Sequence, residues 1–298
     1  MKNCCITIMA LLCGACMAGD VVLGPLAPIT WANAGGNNKV ATWPAGGSSG
    51  IPGYTLMTWQ GSGITNTFGD QSYLPNQLTT NLILWVPCWG TNAVDLSTNQ
   101  VQATFSATPP TWVTNGGGSF QFAPNANWIL CGTGTYMIAN TMSWAWWGRL
   151  TNGSTYYTGI GKEGASGGKS WRVWLLAGVN QFRLHINNSA TLNANWTPQL
   201  NAWHHFGIVY NGPATNVAYY VDGIVVASGG AGVTSIPTST NAVTIGVSMD
   251  SGNPYAWAGQ ISDVMIWNAP KTSNDILKAY SIGSTNVTDA ALGHAGRH

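Results

Sequence analysis

The dipeptide Asp222-Gly223 separates two runs of alternating character, "NVAYYV" and "IVVAS". A two-residue Asp-Gly loop suits a tight antiparallel hairpin, because both positions tolerate positive φ. The preceding run, "AWHHFGIVYN" (202–211), alternates in the same way. So do "NLILWVPCW" (81–89), "GSFQFAP" (118–124), "TMSWAWWGRL" (141–150), "SWRVWLLAG" (170–178) and "NQFRLHIN" (180–187). "NAVTIGVS" (241–248) and "QISDVMIWN" (260–268) complete the series. Short strands at regular spacing, with turn residues between them and no long helical pattern, predict an all-β, two-sheet antiparallel sandwich. One short helix is expected near the end, over "KTSNDILKAY" (271–280), with Thr/Ser capping residues and Asp275 in its first turn.

Neighbouring residues on a strand point to opposite faces. His204 and His205 therefore cannot both ligate one metal from a regular strand. They read as one packing histidine and one sheet-face histidine.

The surface is unusual. Only 6% of residues are charged, against about a quarter in an ordinary soluble domain. With 38 glycines and 16 tryptophans the chain is too aromatic to be disordered. No apolar run long enough to cross a membrane lies beyond the N-terminus. The first 18 residues, "MKNCCITIMALLCGACMA", have the positive start, apolar core and small terminal residues of an export signal. Lipidation at Cys16 and a chain starting at Met17 are the other two readings. Removing residues 1–18 takes Lys2 away, leaving nine basic against nine acidic residues. Zero net charge gives no basic stripe for nucleic acid. Two cysteines, Cys88 and Cys131, remain, and in an exported protein they are expected to form a disulfide.

Residues 19–79 are rich in Gly, Pro, Asn and Ser, and read as an irregular arm or linker with a few short strands at most. The jelly-roll domain is placed at 80–281. The tail at 282–298, with His294 and His298, reads as a mobile end with no more than adventitious metal binding.

Alternation also sorts side chains by face. Met142, Trp144, Trp146 and Leu150 form one row, and Trp171, Val173, Leu175, Phe182, Leu184 and Ile186 continue it; these are core. The opposite rows hold Trp147, Arg149, Arg172, Trp174, Arg183 and His185. If the three strands are neighbours, these six make one aromatic and cationic face. Aromatic rings stack on the C–H patches of sugars, and Arg forks grip hydroxyls or carboxylates. The same face could equally be a solvated sheet with Arg stems packed on Trp.

"LNAWHHFGIVYNGPATNVAYYVDGIVVAS" resembles the core of the laminin-G-like, concanavalin-A-like jelly-roll domains, with their Trp-His-His strand and Tyr-Val-Asp-Gly hairpin. "NGGGSFQFAPNANWI" (115–129), "NTMSWAWWGRL" and "AGQISDVMIWNAPKTSNDILKAY" (258–280) resemble, in order, the family's Gly-rich early strand, its Trp-centred strand, and its closing strand and helix. The resemblance covers about residues 80–281. It implies a fold shared by lectins, glucanases, protein-binding modules and virion accessory domains. Glucanases of this fold carry two glutamates flanking an aspartate on one strand, and retaining hydrolysis needs carboxyl groups about 5 Å apart. Here Glu163 is the sole glutamate, in the glycine-rich "GKEGASGGKS", where a solvated charge is expected. No Gly-x-Ser-x-Gly motif follows a strand and opens a helix, as a serine nucleophile of that kind requires. In related jelly rolls a calcium site joins an early loop to the closing strand; the matching acids are Asp95 and Asp263, with Asp250 as a further loop acid.

The expectation is thus a non-catalytic binding module, secreted or on a cell surface, for a glycan or surface polysaccharide, with calcium as a candidate cofactor. The alternative is a virion-surface or structural protein whose N-terminal arm docks into other protein subunits.

Overall fold

The computed structural model of the chain describes 74–291, apart from 75, 89, 115–117, 124–126, 154–155, 165–168, 177–179, 188 and 250–254, together with four short strands before residue 74. It divides into two compact units, Met1–Thr65 and Asn66–His298. The signal-like start, Cys16, Asp250, His294 and His298 lie outside the described residues.

In the first unit, β1 (Thr30–Asn33), β2 (Lys39–Thr42), β3 (Met57–Gln60) and β4 (Gly63–Thr65) pair in sequence order as an antiparallel meander.

The second unit is a sandwich of two antiparallel sheets. The first sheet has the order β17 (Ile224–Gly230), β16 (Asn216–Val221), β15 (Trp203–Asn211), β10 (Thr141–Leu150), β19 (Gly259–Trp267), β8 (Ser119–Phe122) and β7 (Thr111–Val113). β5 (Leu82–Val86) also pairs with β19. The second sheet has the order β14 (Ser189–Asn195), β13 (Gln181–Ile186), β12 (Trp171–Leu176), β11 (Tyr156–Lys162), β18 (Val243–Ile245), β9 (Ile129–Cys131) and β6 (Ala103–Phe105).

The inward rows interdigitate as alternation predicts. Trp144 of the first sheet meets Trp171 of the second at 5.1 Å between ring centroids. Phe182 of β13 packs on Trp146, Phe206 and Tyr219. Each such buried aromatic contributes about 2–3 kcal/mol of transfer free energy. The Tyr219 hydroxyl is buried there but partnered, accepting from Leu184 N and sharing a hydrogen bond with Thr191 Oγ1. The hairpin between β16 and β17 turns at Asp222 (φ 52°) and Gly223 (φ 77°), as the dipeptide predicts.

The outer face of the first sheet is not open. α1 (Asn76–Thr79) and α2 (Ser273–Ala291) lie on it, and Leu78, Trp85, Ala145, Met265, Trp267 and Ala279 form a second apolar cluster there. Thr272 caps α2: its hydroxyl accepts from Asp275 N, and the Asp275 carboxylate accepts from Thr272 N and Oγ1. The helix starts where the sequence places it and runs further, to Ala291.

Candidate functional site

The two histidines of the Trp-His-His strand serve the scaffold. His204 Nδ1 and the His205 backbone N–H both contact the Asp222 carboxylate at 2.8 Å, which ties β15 to the hairpin. His205 is buried beneath α2, between Trp147 and Tyr280. Burial pushes its pKa down to about 3, so it is neutral.

The six residues sorted onto one face divide between the two sheets. Trp147 and Arg149 belong to β10 of the first sheet, whereas Arg172, Trp174, Arg183 and His185 belong to β12 and β13 of the second. Alternation fixes the face of a strand but not the sheet it joins, and β10 and β12 are not neighbours. Trp147 is fully buried, stacked on Tyr280 of α2 at 5.4 Å. Arg149 donates to Asn201 O and Gln260 Oε1. Neither residue shares a face with the other four.

Those four do share the outer face of the second sheet, around a charged centre. Arg172 pairs with His185 across β12 and β13, and with Gly161 across β11 and β12. Gly161 has no side chain, and Glu163, two residues beyond it, reaches Arg172. Arg172 Nη1 donates to both carboxylate oxygens of Glu163, at 2.9 and 3.1 Å, and Ser248 Oγ donates to Glu163 Oε2 at 2.7 Å. Glu163 is 3% exposed and Arg172 4%, so the expected solvated loop charge is instead a buried ion pair. Arg172 also lies 3.7 Å over the Trp174 ring, and its Nη2 sits 3.4 Å from His185 Nδ1. Burial, Arg172, Arg183 and Lys169 together lower the His185 pKa to about 3. Neutral His185 therefore accepts at Nδ1 and carries its proton on Nε2, which is buried without a hydrogen-bond partner.

Trp174 is not the open platform that the alternation suggests. It is 8% exposed, stacked on His185 at 4.5 Å and met edge-on by Tyr255 at 4.9 Å. Along its row, Trp174 faces Arg183, and Arg183 faces Asn193. Tyr255 and Arg183 are half-buried and Asn193 is exposed, so the row runs from a covered aromatic cluster to an open polar edge. Thr158 of β11, opposite Trp174, is buried with its Oγ1 unpartnered. The sequence reading missed Glu163, Ser248, Tyr255, Asn193 and Thr158. Identifying β11 ("YYTGIGK") as a strand would have put Glu163 on the Arg172 face, but its two glycines weaken the strand signal.

Cys88 and Cys131 are free, buried thiols rather than a disulfide. Cys88 Sγ contacts Val86 O, and burial followed by the charge of Asp263 pushes the thiol pKa up. The Asp95 carboxylate accepts from Trp85 N, Ser97 N, Ser97 Oγ and Val101 N, so it organises the loop after β5. Asp263 sits with φ 47° at the register shift between β10 and β19. Among the described residues no three His, Cys, Asp or Glu side chains cluster as metal ligands. No helix among the described residues is long and apolar enough to cross a membrane.

Several solved structures share the fold of the sandwich. The botulinum neurotoxin serotype G binding domain superposes with a TM-score of 0.56 at 16% identity, covering 69% of this chain and 52% of that one. The receptor-binding domain of the botulinum neurotoxin C/D mosaic serotype gives 0.53 at 17% identity, covering 68% and 51%. Domain 4 of AbnA, an extracellular arabinanase from Geobacillus stearothermophilus solved with arabinotriose, gives 0.55 at 13% identity, covering 67% and 98%. The chain thus spans about half the length of the neurotoxin domains and nearly all of the arabinanase domain. At these identities the likeness is one of fold. No curated protein sequence matches the chain. The model of the concanavalin A-like lectin/glucanase superfamily, in its laminin-G form, matches residues 114–277, more than half of the 298-residue chain. The chain belongs to that superfamily.

Proposed function

We propose that the second unit is a non-catalytic carbohydrate-binding module of an exported protein, with its sugar on the outer face of the second sheet. The observation that carries this reading is the Trp174–Arg183–Asn193 row across three adjacent strands, with Tyr255 against Trp174. Half-buried Tyr255, held against Trp174, offers aromatic surface for a pyranose C–H face beside a guanidinium and an amide for hydroxyls. The Glu163–Arg172–His185 network beneath holds the ring of Trp174 fixed, so little ordering is lost on binding. The same network argues against hydrolysis: both Glu163 oxygens already accept hydrogen bonds, and glycosidases need a second, free carboxyl group. The solved neighbours include a domain crystallised with arabinotriose and a neurotoxin whose cell entry depends on gangliosides, which supports a sugar ligand. Export is supported by the signal-like start and by an arabinanase neighbour described as extracellular.

A glycan array probed with the full chain tests the reading. Binding should be retained by a defined set of glycans, and Tyr255→Ala should weaken it by about tenfold, or about 1.4 kcal/mol. Unchanged affinity in Tyr255→Ala and Asn193→Ala, with both variants folded, would move the site elsewhere. Release of reducing sugar from any retained glycan would overturn the non-catalytic assignment.

A further inference from the structure

The charges on this face are unequal. Arg172 is neutralised by Glu163, and His185 is uncharged. Among the described residues Arg183 has no carboxylate partner. Its guanidinium donates to the neutral Gln181 Oε1 through Nη2, and its Nε is buried without a hydrogen-bond partner. Holding a half-buried guanidinium with donors unmet costs free energy unless an acceptor arrives. Two residues along the same face of β13, the buried His185 Nε2–H is a second unmet donor. Alternate residues of a strand are about 7 Å apart, so a two-oxygen anion lying between these donors can accept from both. Lys169 is close enough for its charge to act on His185.

We infer that this subsite selects an anionic saccharide, with the carboxylate or sulfate group seated on Arg183 beside His185. Arg suits this role because its planar fork pairs with two-oxygen anions. A neutral sugar would satisfy the same donors with hydroxyls but would leave the Arg183 charge uncompensated. The inference rests on the carbohydrate-binding reading above and adds the ligand's charge to it.

The test is a calorimetric titration of the full chain with three probes of one backbone type: neutral galacto-oligosaccharides, oligogalacturonates and sulfated galacto-oligosaccharides. At low salt, at least one of the two anionic probes should bind about tenfold or more tightly than the neutral one. The two anionic arms tell carboxylate from sulfate. Raising salt to about 0.5 M should shrink the preference, because the Debye length falls to a few ångströms. Arg183→Gln should bring the anionic-to-neutral ratio close to one, and Arg183→Lys should keep most of it; melting curves of both variants check the fold. Equal affinity for neutral and anionic probes, unmoved by Arg183→Gln, would overturn the inference and leave the carbohydrate reading standing. Absence of binding to every glycan in this set and on the array would overturn both.

Discussion

Glu163→Gln removes one charge from the centre of the second sheet's outer face and little volume. Glu163 and Arg172 are almost wholly buried, and the carboxylate receives Arg172 Nη1 on both oxygens and Ser248 Oγ on one. Removing one partner of a buried ion pair leaves the other charge uncompensated and typically costs 3–5 kcal/mol. The Gln amide keeps one acceptor for Arg172, so about 3 kcal/mol is expected. For a domain of this size each kcal/mol shifts Tm by about 2–4 °C, so the variant should melt about 6–12 °C lower. Arg172→Met should cost a similar amount, because it leaves the Glu163 charge buried. The double variant should recover much of the loss, since it leaves neither charge of the pair buried and uncompensated. Urea unfolding of the wild type, both single variants and the double variant completes the cycle. If Glu163→Gln stays within about 0.5 kcal/mol of the wild type, the carboxylate is an ordinary solvated charge and the buried network does not exist.

Three further outcomes follow from the packing. Trp147→Ala should destabilise by about 3–5 kcal/mol, as deletion of a buried aromatic does, and should not alter glycan affinity in the folded fraction; an unchanged melting temperature would show that α2 does not cover it. His185 and His205 have folded pKa values near 3, below the unfolded value of about 6.5, so as pH falls the unfolded chain takes up protons first. Stability is full above pH 6.5 and is lost toward pH 3, at about 2 kcal/mol per histidine between pH 7 and pH 5; His205→Phe should halve that loss in urea titrations, and a flat profile would contradict it. Cys88 and Cys131 should resist iodoacetamide in the native protein and label fully in urea, as peptide mass mapping would read; a peptide pair linked by a disulfide would contradict the free thiols.

Much of the sandwich was legible because its signals are local. Period-two alternation put Met142, Trp144, Trp146, Trp171, Val173, Phe182 and Leu184 in the core, where they lie. Asp222-Gly223 marked its hairpin, and Thr272 with Asp275 marked the start of α2. The site was legible only in halves. Nothing in "TMSWAWWGRL" says that its second face lies under a helix formed more than a hundred residues later. Trp147 reads like Trp174 in sequence, yet one is covered by Tyr280 and the other by Tyr255 and His185. Glu163 was hidden because β11 carries glycines at Gly159 and Gly161. Gly159 abuts the Trp146 side chain, where a Cβ would clash, a packing reason that only the folded sheet reveals; a Cβ at Gly161 would make only ordinary contacts with Arg172 and Thr244.

The most direct test of the binding face is a two-dimensional NMR titration that follows the tryptophan indole N–H signals, assigned by single Trp→Phe variants, with the tightest glycan from the array. The account predicts that the Trp174 indole shifts saturably while those of Trp144, Trp146, Trp147 and Trp171 stay in place. A Trp174 signal that stays fixed at saturating glycan, while Trp112, Trp196 or Trp203 moves, would contradict it and assign the sugar to another part of the sandwich.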